Sequence, residues 1–305
     1  MDGLDSFEKL IMCIAIAIVI PTFLGNVLIL VCIRRFHWLQ TPLNALVGSL
    51  AVSDLLFALA IVPGYIVGAF LEANTRPSFC LLYIGVLVTL LLASLLQKLA
   101  ISVERYYSVG FPWKHRTSKR SVYVKVFIPL SWSGSFLFSL IPWMGWNALD
   151  TDDQCELFTA WPRALKVTLN VLIVVIIIVK TTLFSLVVRI ALKRLPTFSS
   201  GGIEAIRIRR QIAKMYVLIA VSAIFILCWA PFCFITFFRL IVDSERLKVA
   251  ESVALLLGVL NCAFNWLIYG LKNSKFRKAF SLVLCQWRSG DRPASARPSS
   301  REISS

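Results

Sequence analysis

Seven hydrophilic side chains, Asn26, Asp54, Ser94, Lys98, Lys180, Asn261 and Asn265, interrupt long oily stretches of this sequence, and Arg105 closes one of them. An acid, several cations and several amides set among apolar residues can pair charges and trade hydrogen bonds away from water. A charge at the centre of a bilayer costs about 2.5–3.5 kcal/mol on insertion scales, so ionisable groups in such places usually mark function. Lys98 is the sharpest case: Cys80 to Gln97 carries no charge, and then the chain reads "QKLAISVERYY". Ser94 and Lys98 are four residues apart and share a helix face. Enzymatic chemistry finds no support, because His37 and His115 lie in polar connections, no metal-spacing cluster occurs, and acids such as Asp150, Asp152, Asp153 and Glu156 lack a catalytic setting. No cofactor is implied.

The elements that must position these groups are membrane helices. Hydrophobic residues make up 58% of the 305, well above the share of about half in a soluble domain. Seven runs are long enough to span: Leu10–Ile33, Leu43–Leu71, Cys80–Val103, Val122–Trp146, Ala164–Leu192, Ile212–Val242 and Val249–Leu271. The fold class expected is all-α, a seven-helix transmembrane bundle. The first run follows Asp2, Asp5 and Glu8 and is too long for a secretory signal, so it reads as a retained helix.

Lysines and arginines in short loops stay cytoplasmic. Arg34, Arg35, Lys114, Arg116, Lys119, Arg120, Arg189, Lys193, Arg194, Arg207, Arg209 and Arg210 share one side with a basic tail, while Lys9, Arg76, Arg163, Arg239, Arg246 and Lys248 stand on the other among acids. The amino terminus is therefore expected outside and the tail inside. The net charge of +16 follows from this topology; nucleic acid is not an expected partner, and anionic inner-leaflet lipid is.

Cys80 opens the third run on the outer side and Cys155 sits in the acidic outer loop, so the two could be bridged. Beyond the last span, Phe276, Phe280 and Leu284 recur every four residues opposite Lys275, Arg277 and Lys278. That pattern predicts a short amphipathic helix on the inner surface, with Cys285 at its end suited to palmitoylation. The organisation expected is an extracellular terminus over 1–9, a receptor-like bundle over 10–271, the surface helix over 272–285 and a disordered tail over 286–305.

"LGNVLIL" with Asn26, "LAVSDLL" with Asp54, "SVERYY" with Glu104, Arg105 and Tyr106, Trp132, "LCWAPF" with Trp229 and Pro231, and "NCAFNWLIY" with Asn261, Asn265 and Tyr269 stand in order on successive runs. In this the chain resembles the rhodopsin-like G-protein-coupled receptors. "IPWMGWN" and the absence of a proline in the fifth run resemble the branch of adenosine, melanocortin, cannabinoid and lysolipid receptors. The resemblance implies an extracellular ligand and a heterotrimeric G protein as partners, with a receptor kinase and an arrestin acting on tail serines. It also implies a switch: Arg105 pairs with Glu104 until the helices part, Pro231 kinks the sixth helix, and Trp229 lies beneath the ligand.

Asp54, Ser94, Asn261 and Asn265 match the pocket that holds a sodium ion in many members of that family, where Asn26 is also part of the polar core. Lys98 stands where the family places an apolar residue. It is expected either to pair with Asp54 in place of the ion, to snorkel toward cytoplasmic water, or to meet a lipid headgroup. Pairing predicts raised basal signalling and little sodium sensitivity. Gln211, Val187 and Trp266 depart from the family's acid, tyrosine and proline, which puts coupling in doubt. Lys180 is not assigned to a helix face.

For the ligand, Leu87 and Val259 replace the amine-binding aspartate and the retinal-binding lysine of relatives. Leu87, Val88, Leu91, Phe232 and Leu255 make an apolar wall beside Trp229, Thr236 offers a hydroxyl, and Phe158 could fold over the mouth. This lining predicts a small neutral or lipophilic ligand. Two other classes stay open: a heptahelical scavenger or scaffold that binds without signalling, and a secondary transporter, which would show repeated halves that the sequence lacks.

Overall fold

In a computed structural model of the chain, the residues described are 6–70, 77–111, 120–148, 161–193, 223–242 and 244–289. Eight helices are found among them. These are α1 (Ser6–Arg35), α2 (Pro42–Phe70), α3 (Pro77–Gly110), α4 (Arg120–Leu140), α5 (Arg163–Lys193), α6 (Ala223–Arg239), α7 (Glu245–Lys272) and α8 (Ser274–Ser289). No strand occurs among the described residues. Six of the helices are long and apolar enough to cross a membrane. The expected first turns of the sixth span, Ile212 onward, lie outside the described residues, as do Cys155, Phe158 and Gln211.

Lipid offers the backbone no partner, so these runs satisfy it internally as helix. Their hydroxyls follow the same rule by donating to the carbonyl four residues back: Thr22 to Ile18, Ser135 to Ser131 and Thr181 to Ile177, each at 2.7 Å. The end of α4 is set by "IPWMG". Ile141–Met144 tighten into a 3-10 turn, and Gly145 stops it at φ 95°, a left-handed conformation that glycine takes without steric cost.

α3 is the central post, packed against α2, α4 and α5, while α1 packs on α2 and α7. The indole of Trp132 on α4 donates to Ser49 Oγ of α2 at 3.0 Å. The largest apolar cluster gathers α3, α5, α6 and α7 around Leu92, Leu95, Ile173, Phe225 and Trp229. α3 runs beyond the expected Val103 to Gly110, so Lys98 stands twelve residues before its end and not near it.

α8 packs Phe276, Ala279, Phe280 and Val283 against α1, α7 and Leu39 of the turn after α1. The expected stripe of every fourth residue is corrected at Leu284, which is exposed. A 3.6-residue turn drifts away from a strict four-residue repeat, and mixed spacings of three and four hold one face. Cys285 is exposed beside it.

Candidate functional site

The central polar residues meet on α2, α3 and α7. Asp54 is fully buried. Its Oδ1 accepts the Ser94 hydroxyl at 2.9 Å and its Oδ2 accepts the Asn265 amide at 2.5 Å. Lys98 Nζ donates to Asn261 Oδ1 at 2.7 Å. Asn265 and Asn261 are one turn apart on α7, as Ser94 and Lys98 are on α3, so two helix faces supply four of the five groups. Cys228 of α6 lies beside Asn261, and Cys262 beside Asp54.

Two expectations are corrected here. Lys98 does not snorkel: it is only 6% exposed, and its side chain reaches into the cluster. Side chains on a helix lean toward its amino terminus, which carries the ammonium back toward the level of Ser94. Nor is it hydrogen-bonded to Asp54, whose oxygens accept Ser94 and Asn265; its partner is the neutral amide of Asn261. Asn26 is fully buried but stays out of this network, donating to Thr22 O of its own helix at 2.8 Å.

The four residues expected to hold a sodium ion do not fit one. A hard cation needs converging oxygen lone pairs. Here an ammonium already holds Asn261 Oδ1, and the Ser94 and Asn265 groups present hydrogens to Asp54.

Glu104 is buried and Arg105 is partly exposed. Tyr106 meets the Phe111 ring edge-on at 6.0 Å, and Tyr269 packs on Phe276 of α8 at 5.6 Å. Trp266, where the resemblance expects proline, lies against α1 at Gly25, where a Cβ would sit 2.1 Å from its ring. Only glycine opens that seat.

Pro231 lies inside α6, two residues after Trp229. Trp229 is buried, edge-on to Phe232 at 6.0 Å, with Gly258 of α7 against its ring. Val88, Leu91, Phe232 and partly buried Leu87 share its apolar cluster, whereas Leu255 is exposed and does not join it. Lys180 now has a place: its ammonium lies 3.4 Å from the Phe225 ring centroid, a buried cation on an aromatic face between α5 and α6. Cys80 is disulfide-bonded, and its expected partner Cys155 lies outside the described residues.

Sequence reasoning missed a second charged group. Arg239 on α6 pairs with Glu251 on α7, and Glu251 Oε1 accepts the Thr236 hydroxyl at 3.3 Å, all three being buried. The signal was present in spacing, since Arg239 stands ten residues after Trp229 on the same α6 stripe.

The model of the seven-transmembrane receptors of the rhodopsin family matches residues 25–269. The chain belongs to that family. It is similar to G-protein coupled receptor 12 of Homo sapiens, 24% identical over 265 residues, 85% of this chain and 77% of that protein. It is also similar to lysophosphatidic acid receptor 1-A of Xenopus laevis, 28% identical over 99% of this chain and 82% of that protein. Adenosine receptor A2b of Canis lupus familiaris is 24% identical over 93% of this chain and 92% of that protein. The chain is thus a multi-pass membrane receptor, and its relatives are receptors and not enzymes. Relatives named for unlike ligands match at like identity.

Proposed function

We propose that this receptor sits in the plasma membrane with its amino terminus outside, and passes the binding of a small neutral or lipophilic extracellular ligand to a heterotrimeric G protein. Its basal activity is raised. The observation that carries this reading is the 2.7 Å contact from Lys98 to Asn261 inside the cluster of Asp54, Ser94 and Asn265. A tethered ammonium substitutes for the exchangeable ion of relatives, so signalling responds little to sodium. An ammonium held by an amide also leaves charge buried without an ion-pair partner, which favours any arrangement that admits water or an anion.

In this reading Trp229 transmits ligand occupancy from the wall of Leu87, Val88, Leu91 and Phe232. Pro231 lets the inner half of the sixth helix swing, and Arg105 then meets the G protein while Glu104, Tyr106 and Tyr269 settle around it. Cys80 and Cys155 bridge the outer loop across the third helix, placing Phe158 near the mouth. Palmitate on Cys285 and anionic lipid hold α8, and a receptor kinase and an arrestin read the serines of the tail.

A binding receptor that does not couple is the second reading, favoured by Val187 and by Trp266, whose ring takes the seat at Gly25. Nucleotide release from a panel of purified G proteins, with Arg105→Ala as the control, separates the two. Signalling predicts ligand-free release that Arg105→Ala abolishes; no release from any G protein supports the silent receptor.

A further inference from the structure

Lys180 belongs to the inward stripe of α5. Ile173, Ile176, Lys180 and Val187 stand at i, i+3, i+7 and i+14 and are all buried, while Val171, Val175 and Ile178 on the other face are exposed. The stripe turns one ammonium toward α6, where it lies over the Phe225 ring. Lys98 of α3 comes to the same face of α6 through α7: it donates to Asn261, which meets Cys228. Phe225 and Cys228 are three residues apart in sequence, so the two places lie about 4.5 Å apart along the axis of α6. The two ammonium groups are near enough to repel each other.

Charge is out of balance at this place. The seven apolar runs hold two acids, Asp54 and Glu251, and Glu251 stands at the α6–α7 seam with Arg239. Glu104 is six residues beyond Lys98 on α3, toward Tyr123 of α4, or about 9 Å further along the axis. Asp54 therefore stands against two ammonium groups, Lys98 and Lys180, and one positive charge is in surplus. A ring face offsets only part of the cost of burying an ammonium, and an amide brings no net charge at all.

We propose that Lys98 and Lys180 form an internal site for one small monovalent anion of the halide class, seated between the two ammonium groups against the Phe225–Cys228 face of α6. A single negative charge removes the surplus and replaces repulsion with two charge-assisted contacts. Two flexible four-carbon stems can close on an ion of that size. The apolar neighbours Leu92, Leu95, Ile173 and Ile176 give the further charges of a phosphate or sulfate nothing to meet, so polyanions are poor ligands there. The site does not depend on coupling to a G protein.

The test uses the full chain in neutral detergent, with sodium and ionic strength held fixed while chloride replaces gluconate, an anion too large for the site. Saturating chloride is expected to raise the unfolding temperature by about 2–4 °C, as linkage to a bound ligand requires, and bromide to do the same. Lys180→Met loses that rise; Lys180→Arg, which keeps the charge, retains part of it. In gluconate Lys180 has only the Phe225 ring, so there Lys180→Met unfolds close to the native chain. Where Lys180→Met does not fold, Lys180→Gln is read in its place. The chloride NMR line, broadened by exchange with bound ion, should be narrower over either uncharged variant than over the native chain at equal concentration.

The basic surface of the protein is the same in every variant, so the difference between native and variant isolates the internal site. An equal rise in the native chain and Lys180→Met places the anion on that surface and overturns the proposal. No rise in the native chain means that Lys180 stays uncharged and needs no anion, which overturns it as well.

Discussion

At the α6–α7 seam Arg239 meets Glu251 directly, whereas in the central cluster Lys98 and Asp54 share neighbours without touching. Both places bury charge among apolar helices. At the seam, each charge faces its opposite directly across two helices. In the centre, hydroxyl and amide groups stand between acid and ammonium, and the charges are shared over three helices. A matched pair clamps two helices. A shared cluster can be redrawn by small shifts, since each amide can change the group it serves.

Substitution at the seam should have the largest effect. Glu251→Ala removes the carboxylate that faces buried Arg239 and should lower stability by about 3–5 kcal/mol, seen as an earlier unfolding temperature in detergent. An unfolding curve like that of an exposed-site control would mean that the pair is open to water.

The boundary of the central cluster comes next. Gly25→Ala places a methyl group into the Trp266 ring, 2.1 Å away, and overpacking of this kind costs about 1–3 kcal/mol. Because Trp266 follows Asn265, the same change should loosen the amide's hold on Asp54. Combining it with Trp266→Ala should recover much of the loss; if the double variant is the sum of the singles, the contact is not where α1 and α7 meet.

The smallest effect is expected at Lys180. Lys180→Met gives up a cation–π contact of about 0.5–2 kcal/mol and at the same time relieves a buried charge. Its unfolding temperature should shift less than that of Gly25→Ala, and a larger fall would show that Lys180 has a counter-charge.

The framework was legible in the sequence because membrane helices announce themselves by length and composition. Five span boundaries, such as Ala164–Leu192 against Arg163–Lys193, agree within a few residues. Asp54, Ser94, Asn261 and Asn265 were legible as one group because helical spacing and the order of motifs fix their faces. What spacing could not give was which of several neighbouring acceptors a long side chain selects. Lys98 reaches an amide on another helix, 163 residues away in sequence, while Ser94 and Asn265 engage Asp54. The Arg239–Glu251 pair escaped for a related reason: each reads singly as a residue near an outer loop, and only the register of α6 on α7 turns both inward. Trp266 read as a lost proline until Gly25 supplied its seat.

Ligand-free nucleotide release by Lys98→Leu, measured with and without sodium, tests the central claim most directly. If Lys98 stands in for the ion, the native receptor releases nucleotide at a rate that sodium leaves unchanged. Lys98→Leu should then lower that rate and make what remains sensitive to sodium, since Asn261 Oδ1 and Asp54 are free to receive it. A variant with native release and no response to sodium would contradict the account.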